Sequence, residues 1–274
     1  MQDVVVLVQA RLDSTRFPQK VLAPFLGMPM LAYQVQRLST AGWRVIVLAP
    51  QDNDAIMSLR HYRVSVGQIP GAEADVLGRL AWYARGAISP SALIVRACGD
   101  CPLLCPILLD DLVAYWDATP GLAYLGMGSG WPDGLADYDL LTREALLQMD
   151  AEATLPSDRE HVVPWVWAQK DRLSQQTYPA PEWVRARRWP KLSVDTPEDL
   201  AYVERVAQHV TQVYGSTYTW QNILAGLCDE PALQRPPEPM NPAYVAQVAQ
   251  EQGREGMTWE AVRYHVGRLD RNCT

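Results

Sequence analysis

The chain has 274 residues, a net charge of −7, 48% hydrophobic and 20% charged residues. Such a composition supports a large buried core and excludes a disordered chain. Its acidic balance excludes wholesale coating of nucleic acid, which needs a basic face to release counterions, and no apolar run approaches the ~20 residues of a membrane helix. Asp3 precedes a first apolar run of only five residues, so no leader peptide is expected. The five cysteines are odd in number and three of them, Cys98, Cys101 and Cys105, crowd together. This is no disulfide framework, and a cytoplasmic location is the expectation.

In chain order, Val4–Val8 reads as a strand and Pro29–Leu38 as a helix opened by proline. Arg44–Leu48 is a second strand, Asp54–Arg60 a short helix and Tyr62–Val66 a third strand. Asp75–Arg85 places Val76 and Leu80 on one helical face, followed by a fourth strand at Ala92–Arg96 and a helix at Pro106–Trp116. Leu122–Leu125 is strand-like, Gly126–Gly134 a loop, and Thr142 caps a helix through Met149. A further helix runs from Asp158 or Arg159 to Trp167, Lys191–Val194 is a short strand, and Thr196-Pro-Glu opens a long helix to about Val213. Glu230–Pro242 is rich in proline and reads as a linker or wrapping arm, with two short helices beyond it at Pro242–Gln252 and Thr258–Leu269. The expected division is therefore 1–229 as the main domain and 230–274 as a Pro-rich extension. Alternating strands and helices predict an α/β fold with a mostly parallel sheet and helices on both faces, its ligand at the C-terminal ends of the strands.

That position is where "QARLDSTRFPQK" follows the first strand. Arg11 and Arg16 can fork onto phosphate oxygens, Lys20 adds a point charge, and Ser14 and Thr15 can donate hydrogen bonds. It is not a Walker loop. Asp100 follows the fourth strand on a Gly-Asp turn, at the same sheet edge, and a divalent cation would reconcile a carboxylate with phosphates. Asp195, in "LSVDTPEDL", reads equally as a second metal carboxylate or a capping residue. Asp137-x-Asp139 has the form of a glycosyltransferase metal motif, and His161 in "DREHVVP" reads as a substrate contact or a helix-face histidine. The three clustered cysteines lack a fourth ligand and read as small, partly buried residues.

Taken together and in order, "QARLDSTRFPQKVL", "DVLGR", "VRACGDCPL", "PDGLADYD", "REHVVPW" and "LSVDTPEDL" resemble the cytidylyltransferases that make CMP-activated sugars. The branch they resemble is the spore-coat polysaccharide biosynthesis protein F group, related to CMP-3-deoxy-manno-octulosonate and CMP-acylneuraminate synthetases. The resemblance implies a Rossmann-like nucleotidyltransferase fold and transfer of CMP from CTP to a sugar acid or related small acceptor, with release of pyrophosphate. By motif position it implies that Gln9, Ala10, Arg11, Ser14, Arg16, Lys20, Asp75 and Arg79 bind the nucleotide. Arg11, Arg16 and Lys20 would act on the departing pyrophosphate. It implies Mg²⁺ on Asp100 and Asp195, and a sugar-side pocket with Asp137, Asp139, Glu160 and His161. By analogy it implies a homodimer. Two rival readings stand beside it: a metal-dependent glycosyltransferase acting through Asp137-x-Asp139, and a non-catalytic nucleotide- or sugar-binding subunit.

Overall fold

Strand β1 (Val4–Gln9) is buried over nearly its whole length, and its side chains alternate between two cores. The computed structural model describes residues 3–169, 172–237, 242–251 and 253. After β1 and a long loop comes a small hairpin, β2 (Pro24–Phe25) and β3 (Met28–Pro29), then helix α1 (Met30–Ser39) and β4 (Arg44–Pro50). A 3-10 segment over Asp54–Tyr62 leads to β5 (Ser65–Ile69), α2 (Val76–Ala87), β6 (Leu93–Cys98) and α3 (Pro106–Asp117). Next are β7 (Tyr124–Met127), β8 (Tyr138–Thr142), α4 (Arg143–Glu152), α5 (Pro156–His161), α6 (Val163–Ala168) and β9 (Gln175–Tyr178). The described chain ends with α7 (Glu182–Arg185), α8 (Pro197–Tyr214), α9 (Trp220–Asp229) and α10 (Pro242–Glu251).

The seven-stranded sheet has the order β5-β4-β1-β6-β8-β7-β9. β5, β4, β1 and β6 are parallel neighbours, and β8 runs antiparallel between β6 and β7. Val4, Val6 and Val8 face a core built with Leu31 of α1, Leu108 of α3, Val206 of α8 and Leu224 of α9. Val5 and Leu7 face the other, with Leu80 of α2, Leu146 of α4 and Val166 of α6. The expected α/β class with helices on both faces is what the chain adopts. Among the described residues no helix is long and apolar enough to cross a membrane.

Several elements differ from the sequence reading. Lys191–Val194 is not a strand; it bridges two loops, with Leu192 N–H donating to Asp133 O and Val194 N–H to Asp100 O, each 2.8 Å. The helix expected from residue 158 to Trp167 is two helices, broken at Val162, whose φ of 72° is unfavourable for a β-branched side chain. Strands β8 and β9 and helix α9 were not anticipated. The helix expected at 258–269 lies outside the described residues.

The antiparallel course of β8 matters for the site. Tyr138 pairs with Ala97 and Asp139 with Arg96, so β8 begins where β6 ends. Loops 10–23, 99–105 and 128–137 therefore gather at one sheet edge, where the parallel strands terminate.

Candidate active site

The loop after β1 is fastened to the body by its backbone. Ala10 N–H donates to Leu48 O (3.0 Å), Leu12 N–H to Asn53 Oδ1 (2.9 Å), and Gln19 N–H back to Leu12 O (2.9 Å). Gln19, at φ 57°, reverses the chain into a 3-10 turn over Lys20–Leu22 that buries Val21. Those constraints drive Lys20 inward. Its Nζ donates to Asp100 Oδ2 at 2.8 Å, Val194 O at 2.7 Å and Asp195 Oδ1 at 3.1 Å. Arg16 Nη2 reaches the same Asp195 Oδ1 at 3.0 Å. Burial alone would weaken the Lys20 ammonium's hold on its proton, but Asp100 and Asp195 outweigh it and raise the pKa. For Asp195 burial acts upward, yet Lys20 and Lys191 hold the carboxylate down at about 2.

Behind Asp195 stands a second layer. Lys191 Nζ lies 2.7 Å from Asp195 Oδ2 and 3.1 Å from Asp199 Oδ2. Asp199 also accepts from the N–H groups of Asp195 and Thr196 and pairs with Arg235 at 3.0 Å. Thr196 and Asp199 form a reciprocal capping box at the start of α8. Asp195 is not the capping residue: Thr196 and Asp199 cap the helix, and Asp195 faces Lys20, Arg16 and Lys191.

Arg16, Lys20, Asp100, Lys191 and Asp195 line a cavity of about 840 Å³ that also takes in Gln9, Ala10, Arg11, Ser14, Arg79, Glu160 and His161. Arg11 pairs with Glu160 at 2.7 Å. Arg79 is 2% exposed, donates to Ala72 O and Glu73 O, and keeps a buried Nε without a partner among the described residues. Burial first, and the Arg11 charge second, lower its pKa. His161 is pushed down to about 4 chiefly by burial, against the opposing pull of Glu160. The strained Val162 follows it directly. Asp75, expected at the nucleotide, instead caps α2 through Gly78 N–H (3.0 Å) and binds Arg159 through both oxygens at 2.8 Å. It positions the helix that carries Arg79.

Asp139 also departs from expectation. Its carboxylate is buried between Arg96 Nη1 and the Tyr124 hydroxyl, and Arg96 in turn donates to Gln9 Oε1 at 2.8 Å. Asp139 lines the cavity wall beside Asp137, with both of its oxygens held by Arg96 and Tyr124. Asp137 does face the cavity, accepting from Gly134 N–H. Gly134 sits at φ 83°, and a side chain there would collide with the backbone of Leu192 and Ser193. Asp133, which the motif reading passed over, lines the same wall; burial and neighbouring Asp137 push its carboxyl up to about 7.

Asp100 and Asp195 present hard carboxylate oxygens, the donor type Mg²⁺ takes, around the Lys20 ammonium. Among the described residues no three acidic, histidine or cysteine side chains form a ready metal cage. Two carboxylates therefore fit a cation that completes its shell with water and substrate phosphates. The cysteines do not compete: Cys101 and Cys105 are buried in the apolar core, and burial raises the Cys98 thiol to about 12.

A basic loop after β1 and two aspartates meeting at one cavity suit the handling of nucleotide phosphates. Residues 5–218 match the family model described as cytidylyltransferase. The chain belongs to the cytidylyltransferase family. It is 27% identical over 217 residues to the spore coat polysaccharide biosynthesis protein SpsF of Bacillus subtilis (strain 168), covering 76% of this chain and 88% of that one. It is 28% identical to a 3-deoxy-manno-octulosonate cytidylyltransferase of Acidovorax sp. (strain JS42), covering 75% and 88%. Among solved structures, a cytidylyltransferase from Leptospira borgpetersenii superposes with a TM-score of 0.76 at 24% identity, over 88% of this chain and all of that one. A CMP:2-keto-3-deoxy-manno-octonic acid synthetase solved with CTP gives 0.59 at 15% identity, over 76% and 99%.

Proposed function

We propose that this enzyme transfers CMP from CTP to a hydroxyl of a sugar acid, in the synthesis of an activated sugar for a surface polysaccharide. The observation that carries the reading is the convergence of Lys20 and Arg16 on Asp100 and Asp195 beneath the basic loop. An acceptor oxygen attacks the α-phosphorus of CTP, the bond from that phosphorus to the bridging oxygen breaks, and pyrophosphate leaves; the hydroxyl proton passes to solvent. The protein's part is orientation and charge neutralisation. Arg11, Arg16 and Lys20 receive the triphosphate, with Gln9, Ala10 and Ser14 beside them and Arg79 at the cavity wall. Asp100 and Asp195 would hold Mg²⁺, which when bound supplies Lewis-acid neutralisation of phosphate charge. Glu160, His161 and Asp137 face the acceptor. A thermal-shift panel of the four nucleoside triphosphates, with and without Mg²⁺, tests this. A ligand at a hundred times its Kd adds about 2.7 kcal/mol, so a CTP-selective, Mg²⁺-strengthened shift is expected. Equal shifts with all four nucleotides, or none, would refute it.

A further inference from the structure

Ala243, Tyr244 and Gln247 line the same cavity, although the family match ends at residue 218. They sit on α10. The helix is attached there in a defined way. The Tyr244 ring meets the His161 ring at 4.1 Å between centroids, steeply tilted. Glu251 accepts from Ser157 N–H at 2.9 Å, a first-turn donor of α5 that its own helix cannot satisfy. Gln247 Nε2 braces Glu251 Oε1 at 2.9 Å, and Val248 and Ala249 are buried with Tyr244 packed beside them. Two of these contacts, Tyr244 on His161 and Glu251 on Ser157, reach α5, the helix that presents Glu160 and His161.

We propose that α10 forms part of the acceptor subsite, with Tyr244 and Gln247 as specificity-determining residues for a hydroxyl-rich acceptor. This rests on the assignment of Glu160 and His161 to the acceptor side under the proposed function. The chemistry suits such a ligand. A tyrosine ring offers an apolar face to sugar C–H groups, and a carboxamide can both donate to and accept from hydroxyls. The nucleotide machinery lies wholly within the family-matched body, so acceptor choice can vary through the arm without disturbing it.

Tyr244→Ala and Gln247→Ala are assayed in the full-length protein with CTP, Mg²⁺ and a panel of sugar acids beginning with 3-deoxy-manno-octulosonate. The expected result is a KM for the accepted sugar acid raised by about tenfold, with the KM for CTP held within about twofold. Equal rises in both KM values, or no change in either, would overturn the proposal. The CTP-induced thermal shift of each variant serves as a second readout and reports its folding. If the unmodified protein turned over no sugar acid, the proposed acceptor class would fail. The shift would still decide this inference: one preserved in Tyr244→Ala supports it, and one lost places α10 against the nucleotide and overturns it.

Discussion

The Lys20 ammonium stands between Asp100 and Asp195, 2.8 Å from Oδ2 of the first and 3.1 Å from Oδ1 of the second. Two carboxylates that would repel across a partly buried site are thereby held together by a residue of the chain itself. Under the proposed function the same ammonium would receive the triphosphate. Lys20→Ala is expected to lower kcat/KM by about 10²-fold or more, the scale of losing one preorganised electrostatic donor. Steady-state rates with CTP check it; a variant at full rate would remove Lys20 from the reaction.

Because Lys20 already neutralises the pair, a metal held there under the proposed function would serve turnover and not folding. Chelation of divalent cations should stop CMP transfer while leaving the melting temperature of the ligand-free protein unchanged. Asp100→Asn should abolish the Mg²⁺ dependence of both turnover and the CTP thermal shift. A melting temperature that collapsed with chelator would show a structural metal instead.

Arg96 and Asp139 form the second charged pair, on adjacent strands and about one-tenth exposed. Breaking a buried pair from one side leaves an uncompensated charge and costs roughly 3–5 kcal/mol. Arg96→Met should reach that range in urea unfolding, whereas the double change Arg96→Met with Asp139→Leu should recover much of the loss. If Asp139→Asn instead kept full stability and changed only the acceptor KM, Asp139 would be a substrate contact after all.

His161 sets a pH dependence. Its folded pKa of about 4 lies below the ordinary 6.5. Between those values the unfolded chain takes up a proton that the folded one refuses, so stability falls as pH falls from about 6.5 towards 4. Its contribution is flat above that window. The imidazole Cε1–H resonance should accordingly stay constant from about pH 8 to 5.5. Unfolding curves of His161→Gln should lose less on acidification than those of the parent; a resonance that titrated near 6.5 would contradict both expectations.

What the sequence made legible was local. Val4–Val8, the Thr196 cap with its proline, and the amphipathic spacing of Val76 and Leu80 depend on near neighbours, and each element lies within a few residues of its expected bounds. The basic loop and Asp100 followed from a rule about strand ends. Missed features needed distant partners. β9 reads Gln-Gln-Thr-Tyr, a polar edge strand with no apolar alternation. Lys191–Val194 has the composition of a strand, but its N–H groups go to loop carbonyls of Asp133 and Asp100. Asp139 looked like half of a motif because nothing local shows that sheet register sets it against Arg96. Proline content marked residues 230–242 as a linker or wrapping arm, and only the tertiary structure brings Tyr244 to His161.

Pairing within the cavity wall has a kinetic consequence. Arg11 is matched by Glu160, Arg16 and Lys191 by Asp195, Lys20 by Asp100 and Arg96 by Asp139. At a distance these charges largely cancel, and beyond a Debye length of about 8 Å at physiological salt an approaching polyanion senses little of them. The chain as a whole, at −7, offers no attraction in their place. Under the proposed function the triphosphate would therefore not be steered in; it would arrive by random encounter, at a rate that ionic strength alters only weakly. Recognition would begin at contact, with phosphate oxygens displacing carboxylates from guanidinium and ammonium groups. Selectivity among nucleotides is accordingly written in how long each one stays, and hardly at all in how fast it comes.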